Sequence, residues 1–270
     1  MATLDASHVA QCPDIAPECA VLFIPPHEHR VQLQLTHYEL EAAYGIRENM
    51  QLSLRIPYDI KDMHVRYTTL DGAPFTPPYG DIHHRTETLS GISDPSLMLE
   101  TSPRANWIFG IGTSIPIGHI EPDPIDLGRR GLEHQHIQFG SGTFMPRLAA
   151  QWSHRDYVAR AEARFSLYEN REGFRAPAIV QWSLGRSFRA GRVTIDPRLT
   201  GQYQSIGRWH GEIDEGSGTQ SGGIRMQLSV PWRSITIAPG VHRELWNRSL
   251  HDEETFHQPW TYSVVVSRMF

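Results

Sequence analysis

From about Arg30 to the carboxyl end, segment after segment of the chain alternates apolar and polar residues. The clearest stretch sets Ala159, Ala161, Ala163, Phe165 and Leu167 against Arg160, Glu162, Arg164, Ser166 and Tyr168. A helix would repeat near every 3.6 residues. A strict period of two means an extended strand with one apolar face. Ile224, Met226, Leu228, Val230 and Trp232 alternate in the same way with Arg225, Gln227, Ser229 and Arg233. So do Trp260, Tyr262, Val264 and Val266 with Thr261, Ser263, Val265 and Ser267, in a strand that ends on the aromatic Phe270.

The pattern predicts twelve strands. Their apolar positions begin at Val31, Met50, Met63, Leu97, Trp107, Ile137, Ala159, Val180, Val193, Ile224, Ile235 and Trp260. Met145-Pro146 is expected to be a bulge inside a long sixth strand. Short connections are expected at Pro57–Asp62, Ser102–Arg104, Ser153–Arg155, Arg189–Gly191 and Trp232–Ser234. Longer ones fall at Glu41–Glu48, Leu70–Gly91, Gly118–Glu133, Glu169–Arg175, Ser205–Gly222 and Asn247–Gln258. Alternating short and long connections suit a membrane barrel with short periplasmic turns and longer outer loops, and an even strand count puts both termini in the periplasm.

Composition agrees. Hydrophobic content is 39%, mean hydropathy is −0.40, and no apolar run approaches the roughly 20 residues a spanning helix needs. In a barrel only alternate residues meet lipid, and the sheet closes because hydrocarbon leaves no other partner for backbone groups. The expected fold is therefore all-β: a closed antiparallel transmembrane β-barrel of about 12 strands over residues 30–270. Charge in hydrocarbon is costly, so the polar-face group Arg55, Arg66, Arg160, Glu162, Arg164, Asp196, Arg198, Arg225 and Arg233 is expected to line the lumen. That group either binds anions and sets a channel's selectivity, or forms a salt-bridged plug. Aromatic girdles are expected where Trp107, Trp152, Trp182, Trp232 and Trp260 lie near strand ends.

Residues 1–29 read as a periplasmic segment before the barrel. Its Cys12 and Cys19 form one disulfide in an oxidising compartment, or else stay as two thiols in a tail. Met1–Ala20 has neither a basic n-region nor an apolar h-region, so it is not a signal peptide; a mature sequence carrying a start Met is the preferred explanation.

GISDPSL (Gly91–Leu97) resembles the "GxGD" segment that opens a strand in the phenol meta-pathway (MetA-type) outer-membrane proteins. SIPIG (Ser114–Gly118) resembles that family's "P-T-G" strand end, with Ile117 in place of Thr. The aromatic carboxyl terminus agrees. The resemblance implies a twelve-stranded outer-membrane barrel linked to aromatic degradation and to the movement of hydrophobic compounds. It implies no catalytic residues.

Other chemistry is weaker. His83-His84 and His134-x-His136 fall in the long loops. An H-x-H pair on one strand face chelates Zn or Cu, yet no carboxylate or cysteine completes a set, so His134 and His136 also read as solvated loop residues. No G-x-S-x-G supports a hydrolase, and no enzymatic activity is expected. The acidic Gly211–Gly223 loop lacks Ca²⁺-loop spacing. A net charge of −5 offers no basic surface for nucleic acid. No cofactor is expected. The expected partners are outer-membrane lipid, a small-molecule solute, the barrel-assembly machinery through the strand ending in Phe270, and a periplasmic protein. Two functions follow: a narrow outer-membrane channel for small, aromatic or anionic compounds, or a filled barrel that anchors a protein complex.

Overall fold

The structure is a computed structural model that describes residues 1–10, 25–77, 86–134, 137–214, 217–251 and 259–270. The alternating segments become β1 (Ala2–Ala10), β2 (His27–Arg47), β3 (Met50–Thr69), β4 (Glu87–Ile92), β5 (Ser96–Arg104), β6 (Trp107–Ser114), β7 (Pro146–His154), β8 (Tyr157–Arg164), β9 (Phe174–Arg175), β10 (Ile179–Arg186), β11 (Phe188–Ala190), β12 (Val193–Gln204), β13 (Arg208–Trp209), β14 (Glu212–Ile213), β15 (Thr219–Trp232), β16 (Ile235–Ser249) and β17 (Trp260–Arg268). One short helix, α1 (Pro124–Arg129), is present among the described residues.

Hydrogen-bonded neighbours run β1-β2-β3-β5-β6-β7-β8-β10-β12-β15-β16-β17 and back to β1, each pair antiparallel. This is a closed twelve-stranded barrel, with β4 and β11 as short additions to β3 and β12. Two-residue turns at Glu48–Asn49, Ala105–Asn106, Arg155–Asp156 and Arg233–Ser234 gather at one end. The long connections gather at the other, where β9, β13 and β14 form a small sheet around Phe174 and Trp209, whose rings lie 4.6 Å apart.

The strand total matches the expectation, but two strands are assigned differently. The expected turn at Pro57–Asp62 is interior to β3, and Glu41–Glu48 belongs largely to β2. Pro57 sits between the β3–β5 ladder, which ends at Arg55, and the β3–β4 ladder, which starts at Tyr58. Its carbonyl faces that side, accepting from Ser93 N–H at 3.2 Å, so its missing N–H falls at a break in the ladder and costs nothing there. The twelfth strand is instead β1, which lies within the segment expected to precede the barrel. Ala2–Ala10 pairs along its whole length with His27–Leu35. Phe270 therefore follows a strand whose neighbour is β1 and not the strand near Arg30. Ala10 and His27 are partners at the long-loop end, opposite Phe270. Cys12 and Cys19 lie outside the described residues.

Facing follows the environment. On β2 and β3, Tyr38, Leu40, Tyr44, Leu54, Ile56 and Tyr58 point outward and are exposed, as a lipid belt requires. Further toward the long-loop end the outward positions become Glu28, Arg30, Gln32 and Gln34, and the inner ones turn apolar: Val31 and Met63 are buried, and His29 packs on Tyr67 at 4.8 Å. These two strands thus extend beyond the bilayer and invert their pattern as they leave it. Elsewhere the belt continues through Ala161, Leu228 and Val264, all exposed. Trp107 and Trp152 are cross-strand partners at the short-turn end, and Trp260 is at the other. Trp182 departs from the girdle expectation: it sits mid-strand, opposite Ala161 and Gly201, where the missing glycine side chain makes room for its ring.

Candidate functional site

The lumen is the candidate site, and its two sides differ. On β2, β3, β5, β7 and β8, most charges are matched, the exception being Arg164, which lies opposite Arg147 and has no ion pair among the described residues. The Arg55 guanidinium lies 3.3 Å from Glu41 and 3.9 Å from Glu39. Arg147 holds Glu162 through Nε at 3.1 Å and also through Nη2. Arg160 lies 3.4 Å from Glu162 and 3.7 Å from Glu100, whose other oxygen accepts from Gln51 at 2.7 Å. Gly110 and Ala149 supply the inner face between β5 and β8. A Cβ at Gly110 would come within 3.3 Å of Glu100, so the small residue leaves the Arg160–Glu100 path open.

On β12, β15 and β16 the charge is not matched. Arg198, Arg225 and His242 lie side by side across three strands, Arg198 opposite Arg225 and Arg225 opposite His242. Among the described residues neither arginine has an ion pair. Arg225 donates to Gln227 at 2.7 Å, and His242 meets the Thr200 hydroxyl at 3.0 Å. Like charges directly opposite on a sheet are destabilising. Asp196 is nearby, but its carboxylate accepts from the Ser187 hydroxyl.

A folded-in loop narrows the long-loop mouth. Lys61 is on the inner face of β3, and its Nζ donates to Gln138 O at 2.6 Å while lying 4.4 Å from the Phe139 ring centre. Asp94 accepts from Gly118 N–H at 2.9 Å and from the N–H and hydroxyl of Ser141, each at 2.7 Å. Asn170 Nδ2 donates to Ser141 O at 3.1 Å, and Thr143 beside it is fully buried. Residues 137–145 are therefore a latch inside the rim and not the first half of a strand. β7 begins at Pro146, so Met145-Pro146 is a strand start and not a bulge.

Of the expected lumen group, Arg55, Arg160, Glu162, Arg164, Asp196, Arg198 and Arg225 fall on inner positions. Arg66 and Arg233 do not. Arg66 is exposed on the outer face of β3 above the lipid belt, where water and not hydrocarbon meets the outward side. Arg233 is a turn residue at φ 55°, stacked 5.3 Å from the Trp232 ring. Glu39, Glu41, Glu100, Arg147 and His242 were missing from that group. His134 is buried against α1, its Nδ1 2.8 Å from Leu132 O; His83, His84 and His136 lie outside the described residues. Among the described residues no three His, Cys, Asp or Glu side chains converge on a metal position. At the outer surface a groove of about 460 Å³ between α1 and β13–β14 is lined by both signs of charge, with Arg129 and Glu212 paired at 2.7 Å.

The structure is similar to the crystal structure of the COG4313 outer membrane channel from Pseudomonas putida F1, with a TM-score of 0.53 and 11% identity, over 98% of this chain and 94% of that one. The two chains share the barrel fold. No family model and no curated protein matches the chain. At 11% identity the likeness carries the fold alone, and the resemblance to the phenol meta-pathway proteins stands at that level.

Proposed function

We propose that this chain is a narrow, non-enzymatic channel of the bacterial outer membrane that passes small solutes and favours anions, carboxylate-bearing aromatics among them. The carrying observation is the Arg198–Arg225–His242 rung. Two guanidinium groups side by side without ion pairs cost stability, and an anion passing the inner wall offsets that cost. Charged rings in narrow pores act in this way. On the opposite side most acids and bases are paired, and Arg164 beside Arg147 adds to the positive wall. Uptake into proteoliposomes tests the reading. Benzoate should enter faster than the benzylammonium ion of similar size, and Arg198→Ser with Arg225→Ser should abolish the difference. Equal rates in the unmodified protein would reject it.

A second reading, a filled barrel that anchors a partner, is favoured by the latch formed by Asp94, Ser141 and Asn170 together with the ionic network on β2–β8. A purified protein that passes neither compound, and whose double arginine variant only loses stability, would make this the better account.

A further inference from the structure

Arginines ring the rim beside the short turns. Four of them end strands on the outward side, each opposite an apolar or aromatic residue: Arg47 pairs with Met50, Arg104 with Trp107, Arg186 with Tyr157 and Arg268 with Ile235. Arg155 and Arg233 occupy two of the turns, at φ 54° and 55°. Asn or Gly fits that left-handed conformation more cheaply, so backbone geometry does not account for arginine there. All six side chains are exposed. Arg186 meets Asp156 at 3.3 Å, and the other five have no ion pair among the described residues. At the long-loop end, by contrast, Arg30 meets Glu28 at 3.0 Å, Arg129 meets Glu212 at 2.7 Å and Arg130 meets Asp126 at 3.3 Å.

Aromatic rings hold three of these guanidinium groups in place. Arg186 lies 5.4 Å from the Tyr157 ring centre and 5.0 Å from that of Phe188. Arg233 lies 5.3 Å from Trp232, and Arg268 lies 4.9 Å from Phe270. The long-loop end has one such stack among the described residues, Arg243 on Trp260 at 5.1 Å. Amphipathic rings settle at the headgroup level of a bilayer. A guanidinium laid against a ring keeps its N–H edge for an anion.

We propose that this rim binds the headgroup phosphates of anionic phospholipids in the leaflet beside the short turns. The inference rests on the membrane-barrel reading. At the edge of the lipid belt a long side chain lays its stem along apolar surface and its charge at the interface. There a guanidinium offers a phosphate two parallel N–H bonds, a match that an ammonium lacks. The arginines face outward at hairpin ends from β2 round to β17, so no single soluble ion touches them together. The ring of lipid around the barrel reaches each one. A zwitterionic lipid brings an ammonium group against guanidiniums already short of acids; phosphatidylglycerol brings none.

The test uses the full chain in bilayers of zwitterionic phospholipid. The probe is spin-labelled phosphatidylglycerol, with spin-labelled phosphatidylcholine as reference, and the readout is the fraction of each label immobilised at the protein surface. Protease-resistant strands establish insertion first, so a chain that fails to insert defeats the membrane-barrel reading itself. In the inserted protein, phosphatidylglycerol should associate about fivefold more strongly, the factor expected for one arginine at an anionic surface. Arg186→Gln with Arg233→Gln and Arg268→Gln should bring the two lipids level. The corresponding triple lysine variant, which keeps the charge and loses the stacked fork, should lose more than half of the preference. Equal association in the inserted, unmodified protein rejects the proposal and leaves the arginines to an acidic periplasmic protein. A lysine variant that keeps the whole preference also rejects it, because a general positive field then suffices. So does a preference abolished by inorganic phosphate but not by chloride at equal ionic strength, since the sites then belong to a free anion.

Discussion

Asp94 accepts the Gly118 backbone N–H at 2.9 Å, and this bond ties together the two sequence segments that carry the family resemblance. GISDPSL supplies the carboxylate and SIPIG supplies the amide. Gly118 and Gly140 meet so closely that a Cβ on Gly118 would lie 2.8 Å from Gly140 Cα. The second Asp94 oxygen then takes both donors of Ser141. One carboxylate thus pins both ends of the loop that folds into the mouth.

Asp94→Ala should release that loop. Hydrogen bonds to a charged acceptor are worth about 1.5–3 kcal/mol each, and this substitution removes three. Proteolysis between 118 and 141 should quicken by at least tenfold while the barrel strands stay resistant. Asp94→Asn, which keeps the shape and one acceptor oxygen, should fall between. An unchanged cleavage rate in Asp94→Ala would show that the loop is held by other contacts.

Facing is testable at neighbouring residues. A spin label at Ala161 should be accessible to oxygen dissolved in lipid, and one at Glu162 to a water-soluble nickel reagent. Leu228→Arg should cost about 2–4 kcal/mol in folding equilibria in bilayers. Ser229→Arg, one residue along on the inner face, should cost far less. The opposite ranking would place the wrong face against lipid.

Glu162 receives both Arg147 and Arg160. Glu162→Gln leaves two guanidinium groups without their shared carboxylate in a half-buried site. Breaking a fully buried pair costs about 3–5 kcal/mol; partial access to water lowers the expected loss to about 1–2 kcal/mol. The urea midpoint for refolding into bilayers should fall accordingly. A variant as stable as the parent would mean that this network does not hold the wall together.

The barrel itself was legible because lipid enforces strict alternation: β8, β15 and β17 announce their faces residue by residue. The signal fails where lipid stops. Above the belt β3 has water outside and packing inside, so Met63, Val65 and Tyr67 carry the same alternation with the opposite facing, and Arg66 was read into the lumen. β1 escaped notice because Ala2, Leu4 and Ala6 make too weak a stripe beside Thr3, Asp5 and Ser7. The inner arginines on β8, β12 and β15 stood out against apolar neighbours. The acids that meet Arg55 and Arg160 did not, since Glu39, Glu41 and Glu100 stand on other strands and only the folded sheet brings them to those arginines. The latch had no periodic signature; Asp94 was visible only as a motif letter.

Selectivity in planar bilayers bears on the central claim most directly. Under a tenfold KCl gradient the unmodified protein should give a reversal potential of the sign set by chloride passing faster than potassium. Arg198→Ser with Arg225→Ser should move that potential toward zero while single-channel events persist. A cation-selective potential in the unmodified protein, or one the double substitution leaves unchanged, would contradict the account.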